Sequence, residues 1–254
     1  MKSSPQATGR RGRSTPPLRI GTAGWSVPAR YVVEVPTGGS HLERYARRLN
    51  AVEINSSFYR PHQRKTYERW AQATPSDFRF SVKVPKAMTH EQRLADCGAL
   101  LDRFALEVAG LGDRLGALLV QLPPRLVVES NVADRFFRDL HERIDAPIVC
   151  EPRHVSWFTP EVDAWFVERR VARVAADPAP VKGAGKPGGW NGVAYYRWHG
   201  SPRIYYSDYD DGALAALGER LDVHCQHGVT TWCILDNTAS GAALGNALAL
   251  GERS

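Results

Sequence analysis

An apolar run that turns abruptly polar recurs along this 254-residue chain, and that repetition restricts the fold more than any other feature. The clearest instance is Pro147–Phe158, where Ile148, Val149 and Cys150 lead straight into Glu151, Arg153 and His154. The apolar part is too short for a helix and continuous enough for a strand buried on both faces. Period-two alternation then puts Val149, Glu151 and Arg153 on one face and Cys150, Pro152 and His154 on the other. The same order, apolar first and polar last, marks strands at Leu18–Trp25, Ala51–Phe58, Arg79–Val84, Gly116–Leu122, Val171–Asp177, Val193–His199 and Thr230–Asp236.

Helical signals fill the gaps between these runs. Ser40 and Glu43 form a capping box ahead of an apolar stripe of Leu42, Tyr45, Ala46 and Leu49. Further helices are predicted from Pro61 to Ala73, from Ala99 to Leu111, and from Asn131 and Asp134 through Leu140. Thr159-Pro160-Glu161 supplies an N-cap, a first-turn proline and a dipole-friendly acid for another. Ser207 with Asp210 opens a long helix that stops at Gly228, and Ala239 to Leu250 supplies the last. After strand six the alternation breaks, because Pro178 to Gly192 is rich in Pro, Gly and Lys and lacks helical period. Eight strands alternating with about seven helices predict an α/β fold: a parallel eight-stranded (β/α)8 TIM barrel with its sixth helix missing or vestigial. An open doubly wound sheet is the alternative that periodicity does not separate from it.

The length suits one barrel domain over residues 18–254. Residues 1–17 are predicted to be a disordered basic tail, being rich in Ser, Pro, Gly and Arg with no apolar period. Lys2, Arg10, Arg11, Arg13 and Arg19 lie in the first 19 residues without an acid, so the net charge of +6 belongs mostly to this segment. The near-neutral remainder offers no basic face, which argues against nucleic acid as a partner. No stretch approaches a membrane span or a secretory signal. Cys97, Cys150, Cys225 and Cys233 lack zinc-like spacing and are expected as reduced thiols of a cytoplasmic protein. Nothing in the sequence names a cofactor or sets the oligomeric state.

In such a barrel the active site lies at the C-terminal strand ends, where this chain places Glu53, Asn55, Ser81, Lys83, Gln121, Glu151, Arg153, Asp177, Arg197, His199, Asp236 and Asn237. Filling a barrel with ion pairs is less favourable than filling it with Val, Ile and Leu, so these residues point to function. Lys83 and Arg197 suit an anionic group, Glu53 and Glu151 suit proton exchange across a ligand between them, and His199 titrates in the useful range. Glu53, Glu151, His199 and Asp236 would suit a divalent metal, but Lys83 and Arg197 in the same cavity would repel it, so no metal ligand is assigned. Gly183–Gly188 matches GxGxxG but leads into a strand rather than a helix and reads as a loop. His224 and His227 sit at a helix end, where they complement the dipole. Gly241, opening the last helix, is a candidate phosphate site.

Ile20-Gly-Thr-Ala-Gly-Trp25, Val52-Glu-Ile-Asn-Ser-Ser-Phe-Tyr59, Phe78–Pro85 with Thr89-His90, Gln121-Leu-Pro-Pro124, Glu151-Pro-Arg-His-Val-Ser-Trp157, Arg197-Trp-His-Gly200 and Asp236-Asn237 occur in order. Together they resemble the DUF72 (YecE-like) family over about residues 18 to 250. The resemblance implies a TIM barrel and leaves the activity open. Its motif positions fall on Trp25, Asn55, Tyr59, Lys83, His90, Gln121, Arg153, His154, Trp157, Arg197 and Asn237, expected to bind substrate, and on Glu53, Glu151 and His199, expected to be catalytic. Trp25, Tyr59 and Trp157 would wall the pocket. The chain departs from the family in a segment from Ser26 to Gly39 short of aromatics, in Pro152 before the strand-five arginine, and in Leu235 near the end of strand eight, so any stacking on substrate would differ. The expectation is an enzyme using acid/base chemistry on a small polar, anionic, phosphate- or sugar-like substrate, with Pro178 to Gly192 either a lid in which Lys182, Lys186 and Trp190 close over it or a degenerate crossover that serves only as a connector.

Overall fold

A computed structural model of the chain describes residues 18–253, so the predicted basic tail lies outside the described residues. The predicted strands form β1 (Leu18–Thr22), β2 (Ala51–Ile54), β3 (Arg79–Lys83), β4 (Leu115–Gln121) and β5 (Ile148–Glu151). The sixth is divided at Val174 into β6 (Val171–Arg173) and β7 (Ala175–Asp177). A two-residue strand, β8 (Gly188–Gly189), precedes β9 (Val193–Trp198) and β10 (Thr230–Leu235). Helices α1 (His41–Ala46), α2 (Ser56–Tyr59), α3 (Arg64–Gln72), α4 (Gly98–Val108), α5 (Ser130–Arg143), α6 (Pro160–Glu168), α7 (Asp211–Gln226) and α8 (Ala242–Gly251) lie between them. Among the described residues no helix stands between β7 and β9, where the Pro/Gly/Lys segment predicted none.

The strands make two sheets, ordered β1-β10-β9-β7 and β2-β3-β4-β5-β6-β8, parallel throughout except for β8 against β6. The divided strand belongs to both: β6 pairs with β5, and β7 pairs with β9. On the other side, β1 and β2 share a single backbone bridge, Ala23 with Glu53. Side chains complete that junction. The Asn50 amide accepts from Ile20 N–H at 3.0 Å and donates to the Leu18 carbonyl at 2.8 Å. The Tyr45 hydroxyl, carried by α1, accepts from Thr22 N–H at 2.8 Å and donates to the Ala51 carbonyl at 3.0 Å. Gly21 lets that carbonyl approach β1, since a Cβ there would run into it.

Local chemistry sets several boundaries. The Ser40–Glu43 capping box and the Thr159 cap with its first-turn proline are both formed. Strand two stops at Ile54, because Asn55 takes a helical conformation and α2 follows. The helix predicted from Pro61 begins only at Arg64. Asp210, not Ser207, caps α7 by accepting from Ala213 N–H. A large apolar cluster packs between strands and helices. A second cluster, Ala51, Ala117, Leu119, Val149, Ala172, Val174, Val193, Tyr195, Trp232 and Ile234, fills the inner face, with Tyr195 stacked on Trp232. No described helix is long and apolar enough to cross a membrane, and the four cysteines are free.

Candidate functional site

The side chains that fill the inner cluster alternate with those facing the helices, so the next inward positions along the same strands come to the C-terminal end. Those positions are Glu53, Lys83, Gln121, Glu151, Arg197 and His199, with Asp236 just past β10. Arg197 is fully buried at the centre. Its guanidinium grips Glu53 in a fork, Nε to Oε2 at 2.9 Å and Nη2 to Oε1 at 2.8 Å. Nη1 donates to Glu151 Oε2 at 2.5 Å, and Nη2 donates also to Asp236 Oδ2 at 2.9 Å. Tyr195 lies beneath, its hydroxyl 3.1 Å from Glu53 Oε2 and 2.8 Å from Ser81 Oγ. Four charged side chains from both sheets thus satisfy one another in a dry interior, the condition under which buried ions are tolerated.

His199 stands at the edge of this cluster, Nδ1 2.9 Å from Asp236 Oδ2 and Nε2 3.2 Å from Glu151 Oε1. Burial pulls its pKa down, but the two carboxylates outweigh that and hold it above the ordinary imidazole value. Burial likewise pushes Glu151 up, yet Arg197, His199 and Arg153 hold it well below the carboxylate range. Asp236 is lowered in the same way, by Arg197 and His199 against burial. Glu151 Oε1 also accepts from Gln121 at 3.0 Å and from Arg153 Nε and Nη2 at 3.0 and 2.9 Å. Glu151, Arg153 and His199 border a cavity of about 340 Å³ whose other walls are Pro124, Ala176, Pro178, Ala179, Pro180 and Ile204.

Lys83 is buried, its ammonium 4.2 Å from the centre of the Phe58 ring, and it makes no hydrogen bond to a described side chain. Burial, with Arg197 beside it, pushes its pKa down to about 8. His90, on a π-helical turn (Ala87–Glu91), shares the Phe58 ring with Lys83 and contacts Thr89 Oγ1 at 2.9 Å. Its pKa is lowered by burial and then by Lys83 and Arg153, which places both cations within its electrostatic reach. Among the described residues no group of three His, Cys, Asp or Glu side chains is arranged to hold a metal. The carboxylates that would suit one are turned toward Arg197.

A family model described as "Protein of unknown function DUF72" matches residues 19–254. The chain belongs to the DUF72 family. It is 31% identical over 176 residues to the UPF0759 protein YecE of Escherichia coli (strain K12), covering 66% of this chain and 61% of that protein. The UPF0759 protein YunF of Bacillus subtilis is 26% identical over 149 residues, 56% of this chain and 53% of its own. The matched stretch therefore spans less than two thirds of either relative. Among solved structures, a DUF72 protein from Enterococcus faecalis superposes with a TM-score of 0.77 at 20% identity, covering 92% of this chain and 94% of its own. One from Thermotoga maritima gives 0.74 at 23%, covering 93% and 98%. A sugar phosphate isomerase/epimerase from Parabacteroides distasonis gives 0.54 at 10%, covering 96% and 97%. At such identities these three share a fold with this chain.

Several residues of this DUF72 protein stand elsewhere than the sequence suggested. Arg197 spends its donors on three carboxylates and has no surface left for an anion. Glu53 is fully buried and bonded to Arg197 and Tyr195, and what lies between Glu53 and Glu151 is the guanidinium rather than a ligand. Trp157 is not a pocket wall: its indole donates to the Leu126 carbonyl and stacks on Phe166 in the core. Tyr59 is mostly exposed, and Trp25 packs edge-on against Trp70. His154 holds its own turn by accepting from Ser156 N–H, and Asn237 ties Ser207 to Asn246. Asn55 is half-buried in the turn before α2, its side-chain oxygen without a partner among the described residues.

The segment from Pro178 to Gly192 is fastened by Arg173. Arg173 forks onto Asp163 at 2.9 and 3.0 Å and donates to the carbonyls of Gly183 and Lys186. Ala184 is buried, and Trp190 packs against the inner apolar cluster. Only the first part of the segment, Pro178 to Pro180, reaches the cavity. Around Gly241 the amides are already engaged, Gly241 N–H with the Thr238 carbonyl, Ala243 N–H with the Asn237 carbonyl and Ala239 N–H with the Tyr205 carbonyl, leaving few for a phosphate. Sequence reasoning passed over Tyr195, inside the strand Val193–His199, and Ile204 and Tyr205, which sit in a loop without periodicity.

Proposed function

We propose that the two sheets close into a single (β/α)8 barrel and that the C-terminal end of its strands is the active site of an enzyme moving a proton on a small anionic substrate. The observation that carries this is His199, a buried imidazole held between two carboxylates at the wall of a cavity that also presents Arg153. Asp236 fixes the Nδ1 side of the ring at 2.9 Å, and Nε2, at the longer distance of 3.2 Å from Glu151, is the atom that gives or takes the proton. Glu151 remains ionised and orients both His199 and Arg153. The Arg153 Nη1, which bonds no described residue, receives the anionic group, and Lys83 adds positive field from beneath. The likeness to a sugar phosphate isomerase/epimerase supports the fold and is compatible with proton transfer, though it does not name the substrate.

Proton transfer can be tested before the reaction is known. A mixture of carboxylated and phosphorylated metabolites incubated with the protein in D2O is expected to gain deuterium at a carbon position, detected by mass spectrometry. His199→Gln should slow that exchange by about 10²-fold or more, the scale of a positioned acid or base. Exchange that is absent, or that His199→Gln leaves intact, would sink the assignment.

A further inference from the structure

The cavity beside His199 is charged at one end only. Arg153, His199 and Glu151 form that end, and the remaining side chains, from Pro124, Ala176, Pro178, Ala179, Pro180 and Ile204, offer no hydrogen bond. Three of those six are prolines, which lack the amide N–H as well. A hydroxylated substrate body would leave its polar groups unpaired against such a wall, whereas an apolar body would be favoured there.

Ile204 reaches this wall from the loop 200–209, which follows β9 directly after His199. The loop is tied on all sides. Gly200 N–H donates to the Tyr209 hydroxyl, Tyr205 N–H to the His199 carbonyl, Ala239 N–H to the Tyr205 carbonyl, and Ser240 Oγ to the Tyr206 carbonyl. Held this way, Tyr205 takes a left-handed backbone conformation with φ 69°, which an aromatic residue adopts only where its surroundings impose it. Its ring meets His199 edge-on at 6.0 Å, its phenol lies within electrostatic range of Arg153, and both Tyr205 and Ile204 keep about half of their surface exposed.

We infer that the substrate is an anion carrying an apolar, preferably aromatic, body: its acidic group on Arg153, its body between the proline wall and Ile204, with Tyr205 covering the junction. This rests on the anion-site reading above and narrows it away from sugars. Ile204 and Tyr205 are then the residues that set specificity.

Isothermal titration of the full chain with matched probes tests it: acetate against benzoate, inorganic phosphate against phenyl phosphate, and glucose 6-phosphate as the hydroxylated comparison. Benzoate and phenyl phosphate are expected to bind about tenfold or more tighter than acetate and phosphate, the effect of burying a ring's apolar surface. Ile204→Ala and Tyr205→Asn, the latter chosen because Asn tolerates the left-handed backbone, should cut that ratio about threefold or more. Arg153→Gln should weaken every probe alike. A ratio near one, or glucose 6-phosphate binding more tightly than phenyl phosphate, overturns the apolar body and leaves the anion site standing. A large ratio that neither loop variant alters overturns the role of Ile204 and Tyr205. Binding by no probe, or binding indifferent to Arg153→Gln, overturns the anion site and this inference with it.

Discussion

A guanidinium without exposed surface is held in place by three carboxylates, and each of those carboxylates is held in place by it. Removing one member of such a set leaves uncompensated charge in a dry interior. Arg197→Met is therefore expected to lower the unfolding free energy by about 3–5 kcal/mol in urea denaturation, the range for a broken buried pair. A loss under about 1 kcal/mol would mean that water reaches the site freely. The same cluster sets a pH profile. Glu151 and Asp236, held below their ordinary 4.5 and 3.8, contribute stability that is present above those values and lost as pH falls through the lowered ones. His199, held above 6.5, contributes stability that is complete below 6.5 and lost as pH rises through its raised value. Melting temperature should thus be flat between about pH 4.5 and 6.5 and fall on both sides, and in His199→Gln the alkaline fall should shrink. Strand-end position revealed these residue types in the sequence. That Arg197 would be consumed by its neighbours was not legible, because it depends on the register of strands 140 residues apart and leaves no local pattern.

The elements whose ends carry caps were readable, since a cap is a short-range hydrogen bond written in adjacent residues. The junction between β1 and β2 was not. There Tyr45 and Asn50 stand in for strand backbone, yet in the sequence Tyr45 is one more member of a helical stripe and Asn50 a residue between elements. Tyr45→Phe keeps the ring and removes the hydroxyl, leaving Thr22 N–H and the Ala51 carbonyl buried without partners. The expected loss is about 1–3 kcal/mol in chemical denaturation, well above what an isosteric change in a merely packed ring would give. How the segment from Pro178 to Gly192 is fastened was not legible for a related reason: its composition reads as loose, and Arg173, which donates to its carbonyls while forking onto the part-buried Asp163, comes from elsewhere in the chain.

At the level of the whole molecule, repetition of one strand grammar was sufficient to announce an α/β architecture, while the division of strand six at Val174 and the thin contact of β1 with β2 follow from three-dimensional fit. Those features assign the site's residues to different sheets. Glu53 and Glu151 belong to the six-stranded sheet, whose parallel strands follow one another in sequence; Arg197 and Asp236 belong with the four-stranded one, where Leu18 of β1 pairs with Thr231 of β10. During synthesis the first sheet can therefore assemble while the chain is still being made, and the second has to wait for β10 to leave the ribosome. Until then Glu53 lacks the guanidinium that forks onto it, and Glu151 is bonded by Arg153 and Gln121 alone. Nascent chains stalled with residue 190 emerged should remain open to protease, and resistance should appear abruptly once residues beyond Asp236 are out. The charged cluster would then tell the newborn protein that β9 and β10 have arrived: it is assembled only when Arg197 and Asp236 have joined Glu53 and Glu151.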